Sequence, residues 1–192
     1  MLNMAQRGFT LPEILLALSL GSLIMLSAAQ LYPLLRAKSQ NSAQYFRLEQ
    51  LFSQAVSGIE KEVRRAGFCA GACQGRALSI GKYPGEMAQS CLNVSYDLNR
   101  NGNWDGGEQQ EESFGYRLRA GALEIQSGAH TCQGDRWEKL FDPQEVTLTL
   151  FRIQRLNDRP GATLYRLQLA GYWSKRPIIR QTVSRLIMGR NQ

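Results

Sequence analysis

The apolar and polar positions divide this 192-residue chain into stretches with different periods. From Ile14 to Leu35 the run is uncharged and has no polar face. At about 1.5 Å per residue, a helix of that length spans about 33 Å, the depth of a bilayer's hydrocarbon core. Lipid offers the backbone no partners, so a helix is the predicted conformation. After Pro33 the pattern turns amphipathic. Leu48, Leu51, Phe52, Ala55, Val56, Ile59, Val63 and Ala66 recur at three- and four-residue steps, with Arg47, Glu49, Gln50, Gln54, Glu60, Lys61, Arg64 and Arg65 between them. That spacing makes one face for a core and one for solvent. One helix is predicted from Phe9 to Ala66, about 87 Å long by the same rise. Pro33 should kink it, and Gly67 should cap it.

Beyond Gly67 the period drops to two. Ala77–Ile80 is a weak strand, while Cys91–Tyr96, Phe114–Arg119 and Ala122–Gln126 alternate clearly. Ala120-Gly121 is a tight turn that makes the last two a hairpin. Glu145–Leu156, Thr163–Ser174 and Ile178–Met188 are longer β-rich runs, separated by Asn157-Asp158-Arg159-Pro160-Gly161 and by Ser174–Pro177. An antiparallel meander packed on the helix follows, so the predicted class is α+β.

Four cysteines, Cys69, Cys73, Cys91 and Cys132, all follow the apolar run and should lie on its far side, where a bacterial periplasm would oxidise them. Four cysteines allow three pairings. Closeness in sequence near a helix end favours Cys69–Cys73, leaving Cys91–Cys132. The alternative is a four-thiolate zinc site, which C-x3-C plus two separate cysteines fits poorly. The formal charge is +7. The basic residues form no runs and read as a solvated face, so nucleic acid is not an expected partner.

Residues 97–108 match D-x-[DN]-x-[DN]-G-x5-E at every position. Asp97, Asn99 and Asn101 place oxygens at alternate positions, and Gly102 permits the turn. Asn103 offers a carbonyl, Asp105 a direct or water-mediated contact, and Glu108 two oxygens. Hard oxygen donors of this number suit calcium, the one cofactor the chain suggests. A plain polar turn of Asn, Asp and Gly is the alternative, because Asn93–Tyr96 reads as a strand where an EF-hand has a helix.

Nothing assembles into an active site. The single histidine, His130, lies in a polar loop, and no phosphate loop or paired-His motif is present. No enzymatic activity is expected.

One feature resists a plain membrane anchor. Glu13 stands at the start of the apolar run, behind a basic leader of eight residues, in Arg7-Gly8-Phe9-Thr10-Leu11-Pro12-Glu13. A carboxylate in lipid is costly, less so near a helix end. A secretory signal would need a shorter apolar run and a small-x-small cleavage site, which Ser27-Ala28-Ala29 supplies weakly. This stretch resembles the processing site of type IV prepilins. The resemblance implies cleavage by a prepilin peptidase between Gly8 and Phe9 and N-methylation of Phe9. It also implies that Glu13 meets the free amino terminus of a neighbouring subunit and sets the register of assembly.

The implied architecture is the type IV pilin fold. It comprises a leader at 1–8, a membrane or filament-core helix at 9–35, its amphipathic continuation at 36–66 and a β-rich periplasmic head at 67–192. Ala66-Gly67-Phe68-Cys69 with its C-x3-C, the D-x-N-x-N-G-x-W-D loop and the final strands resemble minor pilins. Among these the similarity is to the prepilin-peptidase-dependent protein B group, related to W-type minor pilins and J-type pseudopilins. No cysteine follows Cys132, unlike the C-terminal disulfide loop of major pilins. The resemblance implies a subunit that initiates or caps a type IV pilus. Its alternatives are a minor pseudopilin of type II secretion and a DNA-binding competence tip pilin. Partners would be the peptidase, other pilins or pseudopilins and the inner membrane.

Overall fold

The computed structural model describes residues 9–107, 110–157 and 163–191. Helix α1 (Leu11–Arg65) contains Pro33, and the chain forms two compact units that meet between Ala43 and Gln44. In the first unit the apolar side chains from Phe9 to Leu35 are exposed to the surroundings, and no described residue covers them. Such a surface needs lipid or other helices around it.

The second unit holds the core. Leu48, Phe52, Val56, Ile59 and Val63 of α1 are fully buried, at the three- and four-residue steps read from the sequence. The helix stops where its polar pattern stops. Gly67 adopts φ +87° and its N–H donates to the Ser95 carbonyl at 2.9 Å, so the chain leaves the helix through a left-handed residue tied to a strand.

Ten strands follow. They are β1 (Leu78–Gly81), β2 (Cys91–Ser95), β3 (Gly106–Gly107), β4 (Gln110–Glu111), β5 (Ser113–Arg119), β6 (Ala122–Ser127), β7 (Glu138–Lys139), β8 (Val146–Asn157), β9 (Thr163–Trp173) and β10 (Arg176–Gly189). They form an antiparallel sheet in the order β1-β2-β5-β6-β7, a meander β10-β9-β8 and a small ribbon β3-β4. The fold is therefore α+β, a long N-terminal helix with antiparallel sheets. The β5–β6 hairpin pairs Arg119 with Ala122 across Ala120 (φ 48°) and Gly121 (φ 74°), two left-handed residues that match the strands' twist. The turn at 158–161 lies outside the described residues. The short β3, β4 and β7 carry too few residues for alternation to reveal.

Both sheets turn one face to α1. Leu92, Val94, Tyr116, Leu118 and Leu123 do so from the five-stranded sheet, and Phe151, Ile153, Tyr165, Leu167, Leu169 and Ile187 from the meander. The opposite face of the five-stranded sheet is closed by the chain itself. Arg117 on that face is 0% exposed. Its Nε donates to Glu124 at 2.7 Å, and Nη1 donates to the carbonyls of Cys132 (2.8 Å) and Gly134 (3.1 Å). Its guanidinium lies 4.2 Å from the Trp137 ring centroid and 4.6 Å from that of Tyr83. The Cys91–Cys132 disulfide fastens the same loop to β2. Trp173 is buried in the core, and His130 is exposed.

Candidate functional site

The residues singled out by sequence fall in two places, one in each unit. In the first, Thr10 precedes α1 and Glu13 lies in its first turn. Glu13 Oε2 accepts from the Thr10 backbone N–H and from Thr10 Oγ1, both at 2.9 Å, while Ile14 N–H donates to the Thr10 carbonyl at 3.2 Å. The bond from the Thr10 N–H is the glutamate half of a capping box, in which the N3 carboxylate reaches back to the N-cap backbone. A carboxylate at a helix N-terminus also meets the positive end of the helix dipole. The helix therefore supplies a local partner for Glu13, which the T-x-x-E spacing could have revealed. Oε1 makes no bond among the described residues. Gly8 lies outside them, and Phe9 is exposed.

In the second unit, the polar loop after β2 is built around two carboxylates. Asp97 is 1% exposed. Its Oδ2 accepts from the N–H groups of Ala70 and Gly102 at 2.9 Å, and Oδ1 accepts from Asn101 N–H at 3.0 Å. Burial acts to raise its pKa, but the N–H donors of Ala70, Gly102, Arg100 and Asn101 together outweigh it and hold the carboxyl below 3.8. Glu112, also 1% exposed, closes the other side. Its Oε1 accepts from Leu98 (2.6 Å) and Asn99 (3.0 Å), and Oε2 from Asp105 (2.9 Å). No sequence signal separated Glu112 from its neighbours in the Glu-Gln-Gln-Glu-Glu run.

Asn99, Asn101 and Asp105 converge at the mouth of this loop. Asn99 Nδ2 lies 3.2 Å from Asp105 Oδ2, and Asn101 Nδ2 donates to the same oxygen. Asn99 and Asn101 also turn their Oδ1 atoms to backbone N–H groups two residues ahead. Asn103 is exposed, and Glu108 lies outside the described residues. These side chains carry hard oxygens of the kind calcium takes, but it is the amide Nδ2 groups of Asn99 and Asn101 that converge on Asp105, while their Oδ1 atoms accept from backbone N–H groups. The loop's backbone groups are already met by Asp97 and Glu112.

The loop rests on the end of α1. Cys69 and Cys73 are joined in a disulfide, and Cys91 is joined to Cys132. Sulfurs held in disulfides offer no thiolate to zinc, although Cys69, Cys73 and Asp97 cluster. A Cβ on Gly71 would sit 2.7 Å from Gly102 Cα, so the two backbones approach as only glycines allow. Trp104 Nε1 donates to the Phe68 carbonyl at 3.2 Å.

Comparison with known proteins bears on both places. Residues 41–189 match the family model described as prepilin peptidase-dependent protein B, and residues 3–29 match the prokaryotic N-terminal methylation motif. The chain is 34% identical over 152 residues to prepilin peptidase-dependent protein B of Escherichia coli (strain K12), covering 78% of each. Among solved structures it is similar to a type IV-like pilin from Thermus thermophilus, with 14% identity and a TM-score of 0.46 over 75% of this chain and 96% of that one.

Proposed function

The chain belongs to the family of prepilin peptidase-dependent protein B, and on that premise we propose that it is a minor pilin that initiates or caps a type IV pilus. A prepilin peptidase cuts between Gly8 and Phe9 and methylates the new amine. The helix from Phe9 to Leu35 then holds the chain in the inner membrane with its head in the periplasm, until assembly moves that helix among those of neighbouring subunits. The observation that carries this reading is the placement of Glu13. It is the only charge within the first turns of a helix whose apolar surface no described residue covers.

The contact between Glu13 and Thr10 gives the carboxylate a partner at the anchor stage. Before assembly, Thr10 and the helix end solvate the carboxylate at the membrane rim. In the filament, the remaining oxygen accepts the methylated amine of the next subunit, an ion pair in apolar surroundings. Glu13→Ala separates the two stages when surface filaments and membrane-bound protein are counted in the same cells. The expected result is loss of filaments with the membrane level unchanged. Normal filament numbers would refute the assembly role.

We further infer that the loop from Asp97 to Glu108 holds a structural calcium ion through Asn99, Asn101, Asp105 and the Asn103 carbonyl, with Asp97 and Glu108 completing the set. When bound, the ion would neutralise the Asp105 carboxylate and take the Asn99 and Asn101 side-chain oxygens in place of their backbone N–H partners. Calorimetry with calcium and with a chelator tests this: at calcium a hundredfold above its Kd, the gain is about 2.7 kcal/mol. An unchanged melting temperature would remove the site.

A further inference from the structure

The whole of this protein's excess charge sits in one element. Residues 146–192 hold nine of the 23 lysines and arginines but one of the 16 carboxylates, Asp158, giving that stretch a formal +8 and the rest of the chain −1. Three of these charges share the outer face of the meander, while Arg155 beside Tyr165 and Arg185 beside Leu167 lie on the other. Tyr165, Leu167, Leu169 and Trp173 of β9 turn to the core, so Leu164, Arg166, Gln168, Ala170 and Tyr172 share the other face. Register then places Arg152 beside Gln168, Leu186 beside Arg166, Met188 beside Leu164 and Arg180 beside Tyr172. This outer face carries three arginines and no carboxylate. None of the three makes an ion pair among the described residues, and Arg152 Nε is buried with no hydrogen-bond partner.

The face is apolar as well as basic. Leu186 is 54% exposed and Met188 is 49% exposed, with Leu150, Leu164 and Ala170 half-buried between the arginines. A cleft of about 380 Å³ continues it, lined by Thr149, Ala170, Tyr172, Pro177 and Arg180. The face also carries Thr147, Gln154, Gln168, Thr182 and Ser184, but Met, Tyr and Arg are present and Lys, Asp and Glu are not, the bias that distinguishes protein–protein interfaces from the rest of a surface. The three arginines could also meet phosphates, but a single-stranded nucleic-acid site would add stacking aromatics, and Tyr172 is the one aromatic among the described residues of this face. Strand β9 is about 36 Å long at ~3.3 Å per residue, which together with its two neighbours offers an area on the order of one partner's share of a standard interface.

We propose that the outer face of the meander is the docking surface for another protein, one that presents carboxylates set among apolar side chains. Its arginines supply orientation and a fast, charge-guided encounter, and the leucines and Met188 supply the buried area. This reading goes beyond the minor-pilin reading and does not depend on N-terminal processing.

Photocrosslinking of the full-length chain in its own cells tests it, with the photoreactive residue at Gln168, or at Asp135 over the other sheet as control. The expected result is a protein adduct from Gln168 and none from Asp135, mapped by mass spectrometry to a segment bearing Asp or Glu. Its yield should fall about tenfold in Arg152→Glu/Arg166→Glu/Arg180→Glu and stay within about twofold in the triple lysine variant. An adduct no stronger than at Asp135, a nuclease-sensitive adduct, an adduct to a second copy of the chain, or a yield indifferent to charge reversal would overturn the proposal. Should the triple variant melt early, single Arg166→Glu carries the same test, since Arg166 is exposed and its loss opens no cavity.

Discussion

The two sheets of the head use arginine on their outer faces in opposite ways. On the five-stranded sheet, Arg117 is enclosed: paired with Glu124, bonded to two carbonyls and held between Tyr83 and Trp137. On the meander, Arg152, Arg166 and Arg180 stand on an open face with no carboxylate near them in the sheet register. A buried charge must find its partners within the fold, because desolvation is costly. An exposed one keeps its water until a partner arrives. The first arginine is therefore a stability element, and the exposed Arg166 and Arg180, with the half-buried Arg152 beside them, are free to serve recognition.

That contrast can be broken most directly at Arg117. Arg117→Ala leaves Glu124 buried without its cation and opens a void beneath the 128–137 loop. The expected loss is about 3–5 kcal/mol, read as a shift in the chemical denaturation midpoint. Arg166→Ala should change stability by less than about 0.5 kcal/mol. Equal effects at the two positions would erase the distinction drawn here.

The disulfides extend the comparison. Cys91–Cys132 closes a separation of 41 residues and fastens the loop over Arg117, whereas Cys69–Cys73 spans 4. On a chain-entropy account the first contributes about 4 kcal/mol and the second about 2 kcal/mol. Paired Cys→Ala variants, followed by thermal melting, should preserve that order.

The expected pH response comes from the end of α1 rather than from either outer face. Asp97 has a folded pKa below its ordinary 3.8, so its native state binds fewer protons than the unfolded chain. Its contribution is present above pH 3.8 and lost as pH falls through the folded value. Tyr96 behaves in reverse. Burial, and then the Glu62 carboxylate beside it, push it up from 10 to about 12. Its contribution is complete below pH 10 and lost as pH rises through about 12. Melting across the acid range in wild type and Asp97→Asn should converge at low pH. Curves that stay parallel would show that Asp97 does not titrate as described.

The smallest expected effect is at Gly58, in the helical interior, where an added Cβ would meet nothing within 4 Å. Gly58→Ala should stabilise the head by about 0.5–1 kcal/mol. A loss would mean that the bare backbone there is used by the fold.

Periodicity made much of this architecture legible. The amphipathic stripe from Leu48 to Val63, the Ala120-Gly121 hairpin and the three long strands depend on local patterns of side chain and backbone. The missing parts depend on register. Arg152, Arg166 and Arg180 look scattered along the chain, and only antiparallel pairing lays them on one face. Arg117 alternates like any outward residue, and nothing local says that a distant loop will bury it. Glu112 could not be told from Glu108 or Glu111, because the choice is made by the backbone groups of Leu98, Asn99 and Asp105. At the N-terminus the motif was plain, while the capping role of Glu13 emerged from its hydrogen bonds with Thr10.

The central claim, that this chain is a processed prepilin-type subunit, is tested most directly by mass spectrometry of the mature N-terminus of protein taken from its own membranes. The account predicts a chain that begins at Phe9 and carries a methyl group on its amine. A chain that begins near Ala29, or one that retains residues 1–8 in cells with an active prepilin peptidase, would contradict it.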